Sequence, residues 1–284
     1  MTRPSGLHEL EELARAFHRG EKTPAEPRHA STVVLLRDSA GGPEAYLLRR
    51  VKGMAFAGGM HVFPGGSVDP ADATAHLRWA GPPASRWARW FRADEPLARA
   101  LVCAAVRETF EECGVLLAGP SEGELLADVS SDEWEAERAA LEAREQSLSE
   151  LLDRRGLVLR SDLLRPFAHW ITPEVEPKRF DTRFFLAQMP PGQVCRDVGG
   201  EADERLWVRL QDALDQGLTL MPPTHQALQD LAPFGDVRSA LDAEREVTLV
   251  APKLVVLPDD TVKFVVPGDH DYPGEFPDYP DPKA

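Results

Sequence analysis

Between Ala98 and Leu117 the apolar residues Leu101, Val102, Ala105, Val106 and Phe110 recur at the spacing of one helix face, and Gly114 stands where the pattern stops. A residue without a Cβ enters the left-handed conformation that closes a helix at little cost. The spacing therefore predicts a helix over about 96–113. The same helix carries Glu108, Glu111 and Glu112 at i, i+3 and i+4, so three carboxylates leave it on one face. Such a cluster repels itself at neutral pH unless hard cations sit among the oxygens, and the expected cofactor is Mg²⁺ or Mn²⁺. Taken alone, an R-E-x-x-E-E run is more simply a solvated charged face. A second feature has to decide between the two.

The flanking sequence predicts a mixed sheet around this helix. Ser31 to Arg37 (STVVLLR) and Ala45 to Arg50 (AYLLRR) are strand-like and separated by the turn signal Gly41-Gly42-Pro43, which makes a hairpin. Arg179 to Gln188 and Arg205 to Arg209 are further strands, and Leu210 to Gln216 opens another helix. Ser131 to Arg155 is expected to be one long helix, capped by Ser131 or Asp132 ahead of an acidic first turn. Strands and helices alternate without regular βαβ repetition. The fold class expected is α/β in the α+β sense, a mixed sheet between helices with helical insertions. Residues 1–29 form a helix (Leu7, Leu10, Ala14, Phe17) and a linker, residues 30–220 a domain with insertions at about 73–99 and 120–160, and residues 221–284 an extension. The stretch after Pro267, rich in Pro and Asp, is either disordered or draped over the surface.

Composition removes several function classes. A net charge of −15 opposes binding to nucleic acid, which rests on clustered Lys and Arg. No apolar run approaches the ~20 residues that span a bilayer, and no signal or transit peptide is legible, so the chain is expected to start near Met1 and to act in the cytoplasm. Three cysteines without C-x-x-C spacing suit a reducing compartment. An acidic protein of this kind meets phosphate groups through divalent cations, and its expected partner is a small nucleotide-type molecule. The insertion residues Trp79, Trp87, Trp90 and Phe91 must pack on something, a second copy in a homodimer or a lid position being the two options.

The second feature lies upstream, in the tight segment Phe63-Pro64-Gly65-Gly66-Ser67-Val68-Asp69. Together with Arg107-Glu108-Thr109-Phe110-Glu111-Glu112-Cys113-Gly114-Val115 it resembles the box of the Nudix hydrolases, G-x5-E-x7-R-E-U-x-E-E-x-G-U, U being a bulky apolar residue. Gly66 matches the box glycine. Arg107, Glu108, Glu111, Glu112, Gly114 and Val115 match the downstream half. Asp72 stands at the usual glutamate, Thr109 at an apolar position, and 34 residues, 73–106, separate Asp72 from Arg107 in place of seven. The sequence leaves open whether Asp72 still reaches Arg107. A box split in this way is similar to the Nudix motif 19 type. Leu47 to Gly66, His169-Trp170-Ile171-Thr172-Pro173 and Arg179 to Phe185 support that likeness, which spans about residues 30–230.

What the resemblance implies is a metal-dependent diphosphatase. Glu108, Glu111 and Glu112 would be the metal ligands, Glu108 and Glu112 also acting in catalysis, with Arg107 orienting a glutamate through an ion pair. A loop acid often completes such sites, and Glu201 or its rival Glu204 fits that place. Gly65 and Gly66 would approach the substrate, and Arg49, Arg50 and Lys52 could contact a phosphate. His61, His169 and Trp170 are expected to be structural. The substrate implied is coenzyme A or an acyl-coenzyme A, cut to 3′,5′-ADP and 4′-phosphopantetheine. The alternatives are ADP-ribose, NADH or another nucleotide, or a non-catalytic Nudix-fold sensor.

Overall fold

The computed structural model describes residues 5–54, 56–74, 77–198 and 200–273. In chain order it runs α1 (Ser5–His18), β1 (Arg28–Ser39), β2 (Gly42–Arg50), β3 (His61–Val62), β4 (Gly65–Ser67), α2 (Pro70–Thr74), β5 (Trp79–Ala80), α3 (Ala84–Phe91) and α4 (Glu95–Cys113). There follow β6 (Ala118–Gly119), α5 (Asp132–Glu142), α6 (Leu148–Arg154), β7 (Val158–Arg160), a 3₁₀ turn (Ser161–Leu163), β8 (Leu164–Ile171), β9 (Phe180–Gln188) and β10 (Ala202–Arg209). The chain continues through α7 (Leu210–Asp215), α8 (Pro222–Leu231), α9 (Val237–Asp242), β11 (Leu249–Val250), β12 (Lys253–Val256) and β13 (Val262–Val265).

The main sheet has the order β10-β2-β1-β9-β8-β11, with β3 added to β2 and β4 to β1. It is mixed, because β1/β9 and β8/β11 pair in parallel and the other pairs are antiparallel. Both faces are covered, which is why β1 carries the unbroken apolar run Val33-Val34-Leu35-Leu36. Val33, Leu35, Tyr46, Leu48 and Phe185 point to a core shared with α3 and α4. Val34, Leu36, Ala45, Leu47 and Phe184 point to the other core, under α7, α8 and α9. A second, three-stranded sheet, β5-β7-β6, and the hairpin β12-β13 stand apart from the main sheet.

Helix α4 begins at Asp94, whose side chain accepts from Leu97 N at 2.8 Å, and ends on Gly114 at φ 70°. The sequence predicts one buried face, yet Ala98 and every residue from Ala100 to Val106 are buried all round. The cause is the insertion: α2 and α3 pack on the side of α4 that the sheet leaves bare. Trp87 and Phe91 are fully buried, the latter meeting Phe185 with ring centroids 5.0 Å apart. Burial of a side chain such as Phe91 stabilises by about 2 kcal/mol. The aromatic insertion thus packs on the core of its own chain.

The long helix expected over 131–155 is two helices. Arg144 turns left-handed at φ 58°, and Ser147 with Glu150 forms a capping box that starts α6 afresh. The three cysteines are free thiols. Among the described residues no helix is long and apolar enough to cross a membrane. Of the tail, Tyr272 lies against the protein and donates to Ala251 O at 2.8 Å, while Gly268, Asp269, His270 and Pro273 are exposed. The remainder, 274–284, is outside the described residues.

Candidate active site

The two halves of the split motif meet through Arg107. Its Nη2 donates to Asp72 Oδ2 at 3.0 Å and to Ser67 O at 2.9 Å, and its Nε lies 3.2 Å from Asp72 Oδ1. Nη1 reaches Glu108 Oε1 at 2.8 Å and Glu111 Oε2 at 3.1 Å. Asp72 therefore reaches Arg107, and α3 from the intervening segment packs over α4. The guanidinium is nearly buried, and burial alone would lower its pKa. The charges of Glu108, Asp72 and Glu111 outweigh that effect and raise it. Burial raises the pKa of Asp72, and Arg107 opposes the rise.

Strand β4 brings the glycines to the glutamates. It pairs with β1 so that Gly66 faces Ser31 and Gly65 faces Thr32. Gly65 N donates to Glu112 Oε2 at 2.7 Å. A Cβ on Gly66 would lie 2.4 Å from Glu108 Oε1, and one on Gly65 2.4 Å from Ser31 O. Only glycine lets the strand come this close. Gly66 is thus needed to leave room for a carboxylate.

Glu108 and Glu112 face each other one turn apart. Burial pushes Glu108 up to about 7, with Arg107 opposing, and pushes Glu112 up to about 8, with the charge of Glu108 adding to the rise. Burial also raises Glu111. One oxygen of Glu108 is held by Arg107 and one of Glu112 by Gly65; the second oxygen of each has no protein donor among the described residues. Two partly buried carboxylates that line the cavity, each with a free oxygen, form a donor set that suits a hard cation. Glu111 is turned toward Arg107, and among the described residues no three or more His, Cys, Asp or Glu converge as a preformed cation site. The three expected ligands share a face without sharing a point.

The basic residues separate by strand geometry. Successive residues of a strand point to opposite faces. Arg50 lines a cavity beside the glutamates, with Nη2 3.2 Å from Glu201 Oε2, and both charges act on Glu112. Arg49 points the other way, 2.7 Å from both Asp203 and Glu204, and does not line the cavity. Lys52 is exposed and also outside it. The acids divide as well: Glu201 lines the cavity and Glu204, beyond a β-bulge that follows Ala202 in β10, does not. His61 and His169 are buried, the latter bonded to Asp181. Trp170 lines the cavity.

The cavity measures about 1040 Å³. It contains Gly65, Gly66, Arg107, Glu108, Glu111, Glu112, Arg50 and Glu201, together with groups that the sequence does not point to: Lys178, Arg205 and, from the break between α5 and α6, Arg144. Isolated cations, Lys178 and Arg144 in loops and Arg205 on β10, carry no periodic or motif signal. The break could have been found from the Ser147-x-x-Glu150 capping pattern.

No family model matches the chain. The acyl-coenzyme A diphosphatase NUDT19 of Gallus gallus is 30% identical over 319 residues, covering 89% of this chain and 81% of that protein. The Xenopus laevis protein of the same name is 24% identical, with 83% and 72% covered. The crystal structure of a Nudix hydrolase from Alicyclobacillus acidocaldarius superposes with a TM-score of 0.63 at 31% identity, over 79% of this chain and 99% of that one. The chain belongs to the Nudix hydrolase family. It is NUDT19-like within that family. As a Nudix enzyme it carries a box interrupted in sequence and continuous in space, the Asp72–Arg107 pair closing the gap.

Proposed function

We propose that this Nudix hydrolase cleaves the diphosphate of coenzyme A or an acyl-coenzyme A, giving 3′,5′-ADP and the matching 4′-phosphopantetheine. The observation that carries this is the cavity: Glu108 and Glu112 open into a space of about 1040 Å³ that also holds Arg50, Lys178 and a long apolar wall. The relatives named acyl-coenzyme A diphosphatase point to the same substrate.

A divalent cation, Mg²⁺ or Mn²⁺, held by Glu108 and Glu112 with Glu111 beside them, supplies charge neutralisation and Lewis acidity for a diphosphate. The chain does the rest. Arg107 fixes the carboxylates of Glu108 and Glu111, and the Gly65 amide fixes that of Glu112. Arg50 offers its guanidinium to phosphate oxygens. Glu201, exposed at the cavity wall and 3.2 Å from Arg50, accepts the proton of the attacking water as the phosphorus–oxygen anhydride bond breaks.

The test is a screen of the purified protein with Mg²⁺ or Mn²⁺ against coenzyme A, ADP-ribose, NADH and dinucleoside polyphosphates, with products identified by mass. Coenzyme A should give the two products named above, with oxygen from labelled water on one of the two phosphates. Much faster cleavage of ADP-ribose or NADH would leave a Nudix hydrolase with a different substrate.

A further inference from the structure

The cavity has a second end, built outside the box. Helix α1 and the hairpin β12-β13 pack together, and Arg15 Nε lies 3.2 Å from Asp260 at the hairpin turn. Strand β11, paired in parallel with β8 at the sheet edge, delivers the hairpin to this position. From these segments Leu10, Glu11, Leu254, Val262 and Phe264 enter the cavity lining, which also takes in Met54 and Phe56 of the loop after β2. Phe264 is 49% exposed, one of three large apolar side chains left uncovered among the described residues. Leu254 and Val262 are only partly covered. This end is continuous with the glutamate end. Arg50 lies on β2 and Ile171 on β8, three strand spacings away across the sheet, on the order of 14 Å. Six apolar side chains beside the single carboxylate that α1 contributes, one of the six half exposed, suit a ligand that carries hydrocarbon into this end.

We infer that the end of the cavity formed by α1 and the C-terminal hairpin seats the hydrocarbon chain of an acyl-thioester substrate, with Leu254 and Phe264 setting the chain length preferred. This rests on the coenzyme A assignment above and adds to it where the acyl group lies. The diphosphate stays at Glu108 and Glu112, the thioester arm runs along the sheet face, and the chain lies against Phe264.

The test is the steady-state kinetics of the full-length protein with Mg²⁺ on coenzyme A and on a saturated acyl series from acetyl to palmitoyl, for wild type, Phe264→Ala and Leu254→Ala. KM should fall by roughly fourfold for each added methylene that enters the apolar end, then level off where the wall ends. Phe264→Ala should raise KM for octanoyl-coenzyme A about tenfold while leaving kcat/KM for free coenzyme A unchanged. Its exposure makes it a mild substitution for the fold, and Leu254→Ala provides an independent second reading of the same wall. A KM indifferent to chain length would overturn the inference and leave the coenzyme A assignment standing. Equal losses on coenzyme A and octanoyl-coenzyme A, with weaker inhibition by 3′,5′-ADP, would place the nucleotide at this end and overturn it too. Cleavage of ADP-ribose without cleavage of any coenzyme A species would remove both.

Discussion

Asp72 Oδ2 lies 3.0 Å from Arg107 Nη2 although 34 residues separate the two along the chain. The pair is nearly sealed from water, with side-chain exposures of 3% and 11%. Removing one partner of such a pair strands a buried charge. Asp72→Asn should lower unfolding stability by about 3 kcal/mol in urea titrations. It should also depress kcat, because Arg107 fixes Glu108 and Glu111. Unchanged stability would mean that the two halves of the box are held by packing alone.

Gly66→Ala should be inactive. The new Cβ would meet Glu108 Oε1 at 2.4 Å, so the carboxylate must move. A displacement of that size should cost at least 10²-fold in kcat. Gly123→Ala, with nothing within 4 Å of its Cβ, serves as the control and should keep wild-type activity.

Glu112→Gln keeps the shape and removes one negative charge from the donor set. Turnover should drop by orders of magnitude while the melting temperature stays near that of wild type. EDTA should abolish activity and Mg²⁺ or Mn²⁺ restore it. Mg²⁺ should also raise the melting temperature of wild type more than that of Glu112→Gln, a readout independent of turnover. Full activity in a rigorously metal-free preparation would sink the metal assignment.

Arg50 and Arg49 are neighbours with opposite fates. Arg50→Ala should raise KM for coenzyme A severalfold, and Arg49→Ala should leave it within twofold, because only Arg50 lines the cavity. The reverse order in the same assay would mean that the substrate approaches from the other face of the sheet.

His169 gives the fold an acid limit. Burial pushes its pKa down to about 4, and it bonds Asp181. Burial would raise Asp181, yet His169, His29 and Arg183 hold it well below the usual carboxylate range. Between the unfolded His value near 6.5 and about 4, the unfolded chain binds a proton that the folded chain does not, so stability falls as pH falls through that window. Asp181, depressed in the fold, extends the loss below the unfolded Asp value. The His169 contribution is on the order of 3 kcal/mol. His169→Asn should flatten urea stability between pH 6.5 and 4, and an equally steep variant would locate the acid limit elsewhere.

What was legible in the sequence was local. Helix α4 and the β1-β2 hairpin each arise from residues a few positions apart, where periodicity and turn chemistry act directly, whereas the approach of Gly65 to Glu112 spans 47 positions and was legible only through the motif. The Asp72–Arg107 contact was beyond reach because it depends on how residues 73–106 fold, and chain spacing is silent about that. Arg49, Arg50 and Lys52 looked alike as a basic run. Strand alternation already forbade Arg49 and Arg50 from facing the same side, and Arg50 shares the face of Tyr46 and Leu48, the one turned to α4. The break after α5 was missed because the Glu- and Arg-rich pattern on both sides of it is helical, while the capping box that interrupts it occupies only four residues.

The segment between the two halves of the box sets a lower bound on how far this protein can be trimmed. Loop closure grows only slowly in cost with length, so Asp72 and Arg107 would tolerate many linkers between them. Trp87 and Phe91 would not be replaced by any of those linkers, since their rings are fully buried in the core that α4 shares with the sheet. Shortening the segment to the seven residues of an uninterrupted box would bare an apolar flank of α4 to water. A minimal enzyme engineered that way would keep its catalytic residues and become sticky, accumulating as aggregate unless new polar side chains were written onto Ala100, Cys103 and Ala104.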